Sequence, residues 1–303
     1  MEFRFPILPG NKEEPIWTGA GFQIGSEKVP VLKYTQCDVG WDATLTDFHE
    51  KEVEAGNYYI DRASRLHAQF ELERNIKDKN AVILEIGSSS GYLLRDIKKS
   101  FPDMFLIGSD CIPEPLENIA SKMSEIPLIQ FDLVECPLPD NYIDVIIALN
   151  VLEHIKNDKA ALKQIYRILK PGGYAILEAP ANQDLYDFFD EQLKHFRRYN
   201  LNNLCDMARK ENFTIIKASH FAFFIYPAFK FVKLWNKRKE MRNKSYNKTN
   251  VKNLIQMGGI FNDYILYYVM LFELYLGNFI SYPFGIRCLL TLQKPQNLIP
   301  IQN

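Results

Sequence analysis

The stretch VILEIGSSSGYLLRD, from Val82 to Asp96, decides the fold of this chain. Its first residues are apolar and partly β-branched, which is typical of a buried parallel strand. The strand contains Glu85 near its end and leads into a turn of small residues with Gly87 and Gly91, after which leucines and an isoleucine recur at helical spacing. A strand, a glycine turn and a helix in this order bring backbone N–H groups up to a nucleotide-like ligand. Such a turn is also found as a plain connection, so the motifs that follow it decide between the two interpretations.

The spacing within the turn separates two kinds of nucleotide-binding fold. Dinucleotide-binding dehydrogenases require G-x-G-x-x-G, whereas residues 85–91 read EIGSSSG. This resembles the first motif, E/D-x-G-x-G-x-G, of the class I S-adenosylmethionine-dependent methyltransferases, with Ser89 in place of the middle glycine. The resemblance implies that Glu85, Gly87, Ser89 and Gly91 contact S-adenosyl-L-methionine, Glu85 and Gly87 at its amino-acid end.

The next strands end in residues that extend the resemblance. MFLIGSD (104–110) ends in Asp110, about 20 residues after the glycine turn, where a carboxylate accepts hydrogen bonds from ribose hydroxyls. FDL (131–133) resembles the family segment in which the Asp132 side chain binds the adenine amino group and the backbone N–H of Leu133 faces the ring. By the same resemblance Asn150, at the end of the fourth strand, faces the methionine part of the cofactor.

The later elements follow the order that this family requires. They are strand four (144–150), an LEH signature (152–154), a helix (161–169) stopped by KPGG, strand five (174–178), strand six (213–223) and strand seven (286–292). The resemblance implies an α/β fold with a doubly wound, seven-stranded, mostly parallel sheet. In this Rossmann-like methyltransferase fold the last strand is antiparallel and lies between strands five and six.

Composition and charge shifts predict four segments along the chain of 303 residues. They are an N-terminal arm and helical cap (1–79), a cofactor-binding catalytic core (80–224), a basic and aromatic helical insertion (225–284), and the last strand with its tail (285–303). Within the first segment, residues 1–48 are rich in glycine and proline and predict an irregular arm, whereas residues 49–77 predict one or two helices. The hairpin between strands six and seven is normally short, so the insertion is where substrate choice is expected.

The insertion carries nine lysines and arginines and one glutamate between residues 230 and 252, flanked by aromatic residues. Two interpretations remain open. Residues 221–252 contact an anionic membrane surface or a lipid-linked substrate, or the insertion is a helical lobe that packs its aromatic residues on the core. A membrane-spanning helix is disfavoured because Glu273 would cost about 2.5–3.5 kcal/mol at the bilayer centre. The net charge of −1 and the lack of a recognised motif predict no nucleic-acid partner.

The cysteine pattern and the N-terminal sequence give expectations about metal binding and about the cellular compartment. The five cysteines are scattered, with no C-x-x-C pair and no His/Cys cluster at metal spacing, so we expect free thiols and no metal site. The N-terminus shows no pattern of a secretory signal. These features predict a cytoplasmic protein, associated with a membrane if the insertion contacts one.

The segment after strand five carries the candidate catalytic residues. HFRRY (195–199) resembles a pattern in methyltransferases that act on sugars, lipids or quinone precursors. His195 is the candidate general base, because the ordinary pKa of histidine lies near neutrality. Arg198 is the candidate to bind a phosphate or carboxylate of the substrate. The alternative is that His195 and Tyr199 only anchor the loop by hydrogen bonds.

The function predicted from these motifs is methyl transfer from S-adenosyl-L-methionine to a hydroxyl of a small molecule, a glycan or a lipid-linked intermediate. A sulfonium donor is itself the electrophile, so the enzyme mainly aligns donor and acceptor. Because fold does not fix function, a non-catalytic protein that binds S-adenosylmethionine or a nucleotide is the alternative. A nicotinamide-dependent oxidoreductase is a weaker one, since the turn lacks the dehydrogenase spacing.

Overall fold

A central eight-stranded sheet organises the protein. The computed structural model describes residues 3–35, 58–242 and 260–296. In spatial order the strands are β10 (Thr214–Phe221), β11 (Arg287–Gln293), β9 (Leu169–Pro180), β8 (Ile143–Leu149), β5 (Val82–Ile86), β6 (Phe105–Asp110), β7 (Leu128–Gln130) and β4 (Val31–Lys33). β11 is antiparallel to both β9 and β10, and the other neighbours are parallel. The predicted doubly wound sheet with its antiparallel last strand is therefore confirmed.

Helices cover both faces of this sheet. They are α1 (Tyr59–Asn75), α2 (Tyr92–Ser100), α3 (Pro113–Lys122), α4 (Asp158–Ile168), α5 (Phe188–Gln192), α6 (Leu201–Lys210), α7 (Tyr226–Arg242) and α8 (Ile260–Leu276). Successive side chains of a strand point to opposite faces. Accordingly, Ile83 belongs to a buried cluster with α1, α2 and α3, whereas its neighbour Leu84 belongs to one with α4 and α6. Burial on both faces explains why the strands read as continuous apolar runs.

The N-terminal arm differs from the irregular segment that was predicted. Residues 16–29 form a small antiparallel sheet of β1 (Ile16–Trp17), β2 (Phe22–Ile24) and β3 (Glu27–Val29). β4 then pairs in parallel with β7 and adds an eighth strand to the seven expected. Strands of two or three residues are too short to show a periodic pattern, which is why the sequence did not reveal them.

Strand five is also longer than predicted. α4 ends at Ile168 and β9 begins at Leu169, so KPGG lies within the strand as an irregular step in its pairing with β8. Gly172 adopts φ +84° there and donates its N–H to the carbonyl of Lys294 at 2.7 Å. LEH forms a short 3₁₀ turn (Leu152–His154) between β8 and α4.

Some predictions fall outside the described residues: the helix over 49–57, the basic residues 243–252, Cys37 and the tail 297–303. The other four cysteines are free thiols. Among the helices that the structure describes, none has the length and hydropathy needed to cross a membrane.

The described part of the insertion consists of α7 and α8, and α8 packs against α1. Met270 and Leu274 of α8 are buried in a cluster with Ile60 of α1. Glu273, on the same face, is buried and accepts hydrogen bonds from the backbone N–H groups of Phe223 at 2.9 Å and Phe224 at 3.3 Å. The carboxylate therefore faces the protein and fixes the chain before α7.

Candidate functional site

The turn after β5 is tied to the end of β6 by a set of short hydrogen bonds. The N–H groups of Gly87 and Ser88 donate to the carbonyl of Ser109 at 2.8 and 2.9 Å. The N–H of Ser109 donates to Ser88 Oγ at 3.1 Å, and Ser109 Oγ donates to the carbonyl of Glu85 at 2.8 Å. Small residues are needed here because two strands and the turn meet at one point.

Left-handed backbone explains the glycines of the turn. Gly87 has φ +77° and Gly91 has φ +74°, a conformation that L side chains rarely adopt. A Cβ on Gly87 would also lie 2.6 Å from Val151 Cγ2. Ser89 has φ +43°, and its N–H donates to Asp110 Oδ2 at 2.9 Å. The serine at the middle-glycine position is therefore held by the carboxylate of the next strand.

The three predicted carboxylates lie at the ends of, or just after, the neighbouring strands β5, β6 and β7. Asp110 accepts from Ser89 and, at 3.1 Å, from the N–H of Ile112. Asp132 Oδ1 accepts from the N–H of Val134 at 2.9 Å, and Leu133 beside it is buried. We name Glu85, Gly87, Ser89, Asp110 and Asp132 the strand-end crevice.

Glu85 is the member of this crevice whose buried carboxylate is incompletely hydrogen-bonded. Its side chain is buried, and its Oε2 has no hydrogen-bond partner among the residues that the structure describes. Burial raises the pKa of Glu85 well above its ordinary value. A buried acceptor without a donor costs free energy, so a ligand with N–H or O–H donors would relieve this site.

Asn150, predicted to face the methionine part of a cofactor, is held by strand β9. It has φ +54°, and its Nδ2 donates to Glu178 Oε1 at 3.3 Å. Glu178 also pairs with Arg287 Nη1 at 2.6 Å and accepts from Ser64 Oγ of α1 at 2.9 Å. Burial lowers the pKa of Arg287, but the charges of Glu178 and Asp61 outweigh it and raise the pKa overall. The sequence did not reveal this buried pair, whose members are far apart in the chain.

A second group of polar residues surrounds His195. His195 Nδ1 lies 2.9 Å from Asp190 Oδ1, and Arg198 Nε donates to both oxygens of Asp190 at 2.8 and 2.9 Å. Lys233 of α7 pairs with Asp187 at 2.6 Å and lies 3.5 Å from Asp190 Oδ2. Burial acts to raise the pKa of Asp190, but the hydrogen bond with His195 and the charges of Arg198 and Lys233 hold it well below its ordinary value.

Two members of the HFRRY pattern serve internal contacts in this structure. The Arg198 side chain is almost fully buried, and its guanidinium binds Asp190 and the carbonyl of Ala181. Tyr199 OH contacts the carbonyl of Leu152 at 3.1 Å and Asp158 Oδ2 at 3.0 Å. The anchoring interpretation therefore describes Tyr199, and the geometry makes Arg198 an orienting partner of Asp190.

Glu153 and His154 join His195 from the segment after β8. The rings of His154 and His195 stand edge to face with centroids 4.6 Å apart. Glu153 is fully buried, and neither carboxylate oxygen has a hydrogen-bond partner within the described ranges. Burial raises the pKa of Glu153 to about 8. We name Glu153, His154, Asp190, His195 and Arg198 the histidine cluster.

The sequence singled out His195 and Arg198 as candidates but not Asp190 or Glu153, which the structure places beside them. LEH and HFRRY are about forty positions apart. The N–H of Phe196 donates to the carbonyl of Glu153 at 2.8 Å and joins the two segments. A carboxylate five residues before a histidine was the available signal for Asp190, but that spacing is too common to single out.

Comparison with known proteins agrees with the fold. The profile of a family described as a methyltransferase domain matches residues 57–218, more than half of the chain. The chain belongs to this family. Its match ends before β11 and the insertion, so the family alone does not account for those elements.

Curated relatives match a shorter part of the chain. An uncharacterized methyltransferase, YdaC, from Bacillus subtilis is 33% identical over 119 residues, which are 37% of this chain and 65% of that protein. A malonyl-[acyl-carrier protein] O-methyltransferase from Halalkalibacterium halodurans is 30% identical over 127 residues, 40% of this chain and 46% of that protein. The chain thus spans less than two thirds of the length of these relatives.

Solved structures share the fold over most of the chain. A chain from the complex of the Haloferax volcanii Trm112 methyltransferase activator with a methyltransferase has a TM-score of 0.56 and 16% identity, covering 86% of this chain and 99% of its own. Phosphoethanolamine N-methyltransferase 2 from Haemonchus contortus, solved with S-adenosyl-L-methionine, has a TM-score of 0.51 and 17% identity, covering 85% of this chain and 61% of its own. At these identities the likeness concerns the fold.

S-adenosyl-L-methionine is the cofactor of this methyltransferase family, and the strand-end crevice fits it. The unpartnered Oε2 of Glu85 can accept from an ammonium group. Asp110 lies at the end of the second core strand, the position of a ribose-binding carboxylate in nucleotide-binding sheets.

Proposed function

We propose that this protein transfers the methyl group of S-adenosyl-L-methionine to a hydroxyl of an acceptor that carries an apolar or lipid-linked portion. In this reaction the S–CH₃ bond breaks and the O–CH₃ bond forms. The sulfur keeps the electron pair of the broken bond and becomes the thioether of S-adenosylhomocysteine. The proton of the hydroxyl passes to a base. The protein must therefore hold the donor, orient the acceptor and take up one proton.

The strand-end crevice holds the donor in this proposal. Glu85 accepts from the amino-acid end, and Asp110 from the ribose hydroxyls. Asp132 and the N–H of Leu133 bind the adenine. The buried, unpartnered oxygen of Glu85 supports the first assignment, and the two backbone N–H groups that orient Asp110 support the second.

The pairing of His195 with Asp190 is the observation that supports a general base for the acceptor hydroxyl. A carboxylate on Nδ1 fixes the tautomer of the imidazole and leaves Nε2 able to accept a proton. Asp190 is held ionised by Arg198 and Lys233, which keeps this arrangement in place at neutral pH. His195 then acts as general base toward the acceptor hydroxyl, and Arg198 positions Asp190.

The exposed surface of the insertion is the evidence for an acceptor with an apolar portion. The face of α8 opposite α1 presents Tyr264, Ile265, Tyr268, Phe272 and Tyr275, each more than half exposed. A helix with such a face, near a basic segment, suits the surface of an anionic membrane. α7 joins this insertion to the histidine cluster through Lys233, and Tyr226 OH accepts from Asn182 Nδ2 at 2.9 Å.

Labelled-methyl transfer into a cell extract tests the activity and the acceptor class together. The purified protein is incubated with methyl-labelled S-adenosyl-L-methionine and extract, and the label is counted in lipid, glycan and soluble fractions. We expect label in the lipid fraction and far less label with the His195→Gln variant. Cofactor binding without transfer to any fraction would favour the non-catalytic alternative, and label confined to the glycan and soluble fractions would reject the apolar acceptor.

Co-sedimentation with vesicles tests the surface. We expect binding to vesicles that contain anionic lipid at low salt and weaker binding at high salt, because the basic residues are screened. The double variant Tyr268→Asp/Tyr275→Asp should lose binding. Ile216→Asp, at an exposed residue of β10 outside the insertion, is the matched control. Equal binding by both variants would remove α8 from the proposal.

A further inference from the structure

Glu153, His154 and His195 bring three potential metal ligands to one point. One ligand atom from each residue lies within 4.8 Å of the others. Around an ion with bonds of about 2.0–2.2 Å, neighbouring ligand atoms are about 3–3.5 Å apart. Small changes of side-chain rotamer would therefore close the three groups onto one cation.

The state of Glu153 is a second, independent observation. Its carboxylate is fully buried, yet neither oxygen meets a hydrogen-bond donor in the part of the chain that the structure describes. Native proteins rarely leave such a group unpaired, because burying a carboxylate without a partner is costly. Two histidine side chains lie beside this carboxylate, so the three groups together offer ligand atoms to a cation.

The surroundings of His195 match the outer shell of a metal site. A metal-bound histidine usually donates its other ring N–H to a carboxylate, which fixes the tautomer and raises ligand basicity. Asp190 lies 2.9 Å from Nδ1 of His195 and so directs Nε2 outward as a ligand. Asp190 is itself held by Arg198 at 2.8 and 2.9 Å.

We propose that Glu153, His154 and His195 bind one divalent first-row transition-metal ion, with Asp190 as the residue that orients His195. Two imidazoles and one carboxylate are a donor set for Zn²⁺, Fe²⁺, Co²⁺ or Mn²⁺ rather than for Mg²⁺ or Ca²⁺. Three protein ligands leave coordination positions open for an oxygen of a second molecule. The sequence predicted no metal site, because its three ligands come from two distant segments.

This inference rests on the proposed function for the role of the ion. With a cation bound, Nε2 of His195 is a ligand and no longer accepts the proton of the acceptor. The ion instead binds the acceptor oxygen and lowers the pKa of its hydroxyl, and the proton leaves to solvent water. Methylation of that oxygen then proceeds as before, with the S–CH₃ bond breaking and the O–CH₃ bond forming.

Metal uptake by the full chain tests the site without reference to activity. The protein is stripped with a chelator, dialysed and titrated with Co²⁺ and Zn²⁺, with calorimetry and the visible absorption of Co²⁺ as readouts. We expect one ion per chain and a spectrum typical of nitrogen and oxygen ligands. No saturable uptake of either ion by the wild type would overturn the proposal.

Four variants locate the ion. Glu153→Gln and His154→Gln should abolish tight binding, and Asp190→Asn should weaken it about 10- to 100-fold, as expected for an outer-shell partner. His220→Gln, which removes a histidine that contacts Tyr282 instead, is the matched control and should bind like the wild type. Unchanged binding in Glu153→Gln and His154→Gln would overturn the site. Circular dichroism identifies any variant that fails to fold, and X-ray absorption of the Zn²⁺-loaded wild type then tests for two imidazole ligands.

Activity separates this inference from the proposed function. Methyl transfer that proceeds equally with and without added Co²⁺ or Zn²⁺, by a protein that takes up neither ion, would reject the ion and leave the methyltransferase proposal intact. Metal uptake that depends on Glu153 and His154, without transfer to any acceptor, would retain the site and reject the proposed reaction.

Discussion

The strand-end crevice and the histidine cluster are built in opposite ways. The crevice comes from the turns and ends of the neighbouring strands β5, β6 and β7, and its turn is held by backbone hydrogen bonds, such as those from Gly87 and Ser88 to Ser109. In the cluster, side-chain ion pairs join Asp190 to His195 and Arg198, and the loop after β9 to helix α7. The segment after β8 is joined to that loop by the hydrogen bond from Phe196 to Glu153. We propose that the fold itself specifies cofactor binding, whereas acceptor chemistry depends on tertiary contacts of the insertion.

The largest expected effect separates chemistry from cofactor binding. His195→Gln should lower kcat by about 10²- to 10⁴-fold, because it removes either the positioned base, which contributes about that much, or a ligand of the ion that takes over the role of that base. The affinity for S-adenosyl-L-methionine should stay unchanged, since His195 is not part of the crevice. Steady-state kinetics and cofactor calorimetry measure the two quantities, with His220→Gln as the control. Full turnover by His195→Gln would contradict the assignment.

Removing the Lys233 side chain, which links α7 to Asp187 and Asp190, tests whether the histidine cluster depends on the insertion. Lys233→Met should destabilise the protein by about 3 kcal/mol, because breaking a buried ion pair leaves the carboxylates of Asp187 and Asp190 less compensated. It should also lower kcat while leaving cofactor affinity intact. Denaturant unfolding and kinetics measure these effects. Lys230→Met, at an exposed lysine of the same helix, should change stability by less than about 0.5 kcal/mol.

A substitution in the strand-end crevice should weaken cofactor binding and leave the histidine cluster unchanged. Asp110→Ala should weaken S-adenosyl-L-methionine binding about 10- to 100-fold, the equivalent of losing charge-assisted hydrogen bonds worth about 1.5–3 kcal/mol. Asp103→Ala, at an exposed aspartate before β6, is the matched control. Calorimetry measures the affinities. Co²⁺ uptake by the histidine cluster should be the same in both variants, and a change there would show that the two regions are coupled.

The smallest effect concerns Glu85 and pH. Because burial raises its pKa above the ordinary value of 4.5, the folded state binds a proton that the unfolded state has released. The free energy of unfolding should therefore decrease as pH rises from about 4.5 toward the raised pKa. Glu85→Gln should lack this decrease and be more stable at neutral pH by about 1 kcal/mol, while binding the cofactor more weakly. Thermal unfolding across pH measures the slope, and equal slopes in both proteins would contradict the proposed burial cost.

Local rules made much of the fold and of the crevice predictable. The glycine turn and the carboxylates at successive strand ends are written in short stretches, and strands of five or more residues show their burial directly. The edge strand β4, of three residues, has no such signal. The pairing of Glu178 with Arg287 joins two antiparallel strands over a hundred residues apart, and no spacing rule predicts it.

The orientation of α8 is another feature that the sequence did not predict. The sequence showed a mostly apolar segment interrupted by one carboxylate, which disfavoured a membrane-spanning helix. The structure shows that this carboxylate accepts backbone N–H groups before α7, while the aromatic residues point away from α1. Which side of a helix faces the core depends on its partner, and that partner, α1, comes from the other end of the chain.

By itself, the sequence determined the seven core strands, the sharp turn at Gly87 and the carboxylates at the strand ends, because backbone conformation and strand burial are properties of neighbouring residues. Only the tertiary structure decided that Glu153, His154, Asp190 and His195 meet. Their approach depends on the parallel alignment of β8 and β9, whose carboxyl ends carry the two loops to the same end of the sheet, and on the hydrogen bond from the N–H of Phe196 to the carbonyl of Glu153.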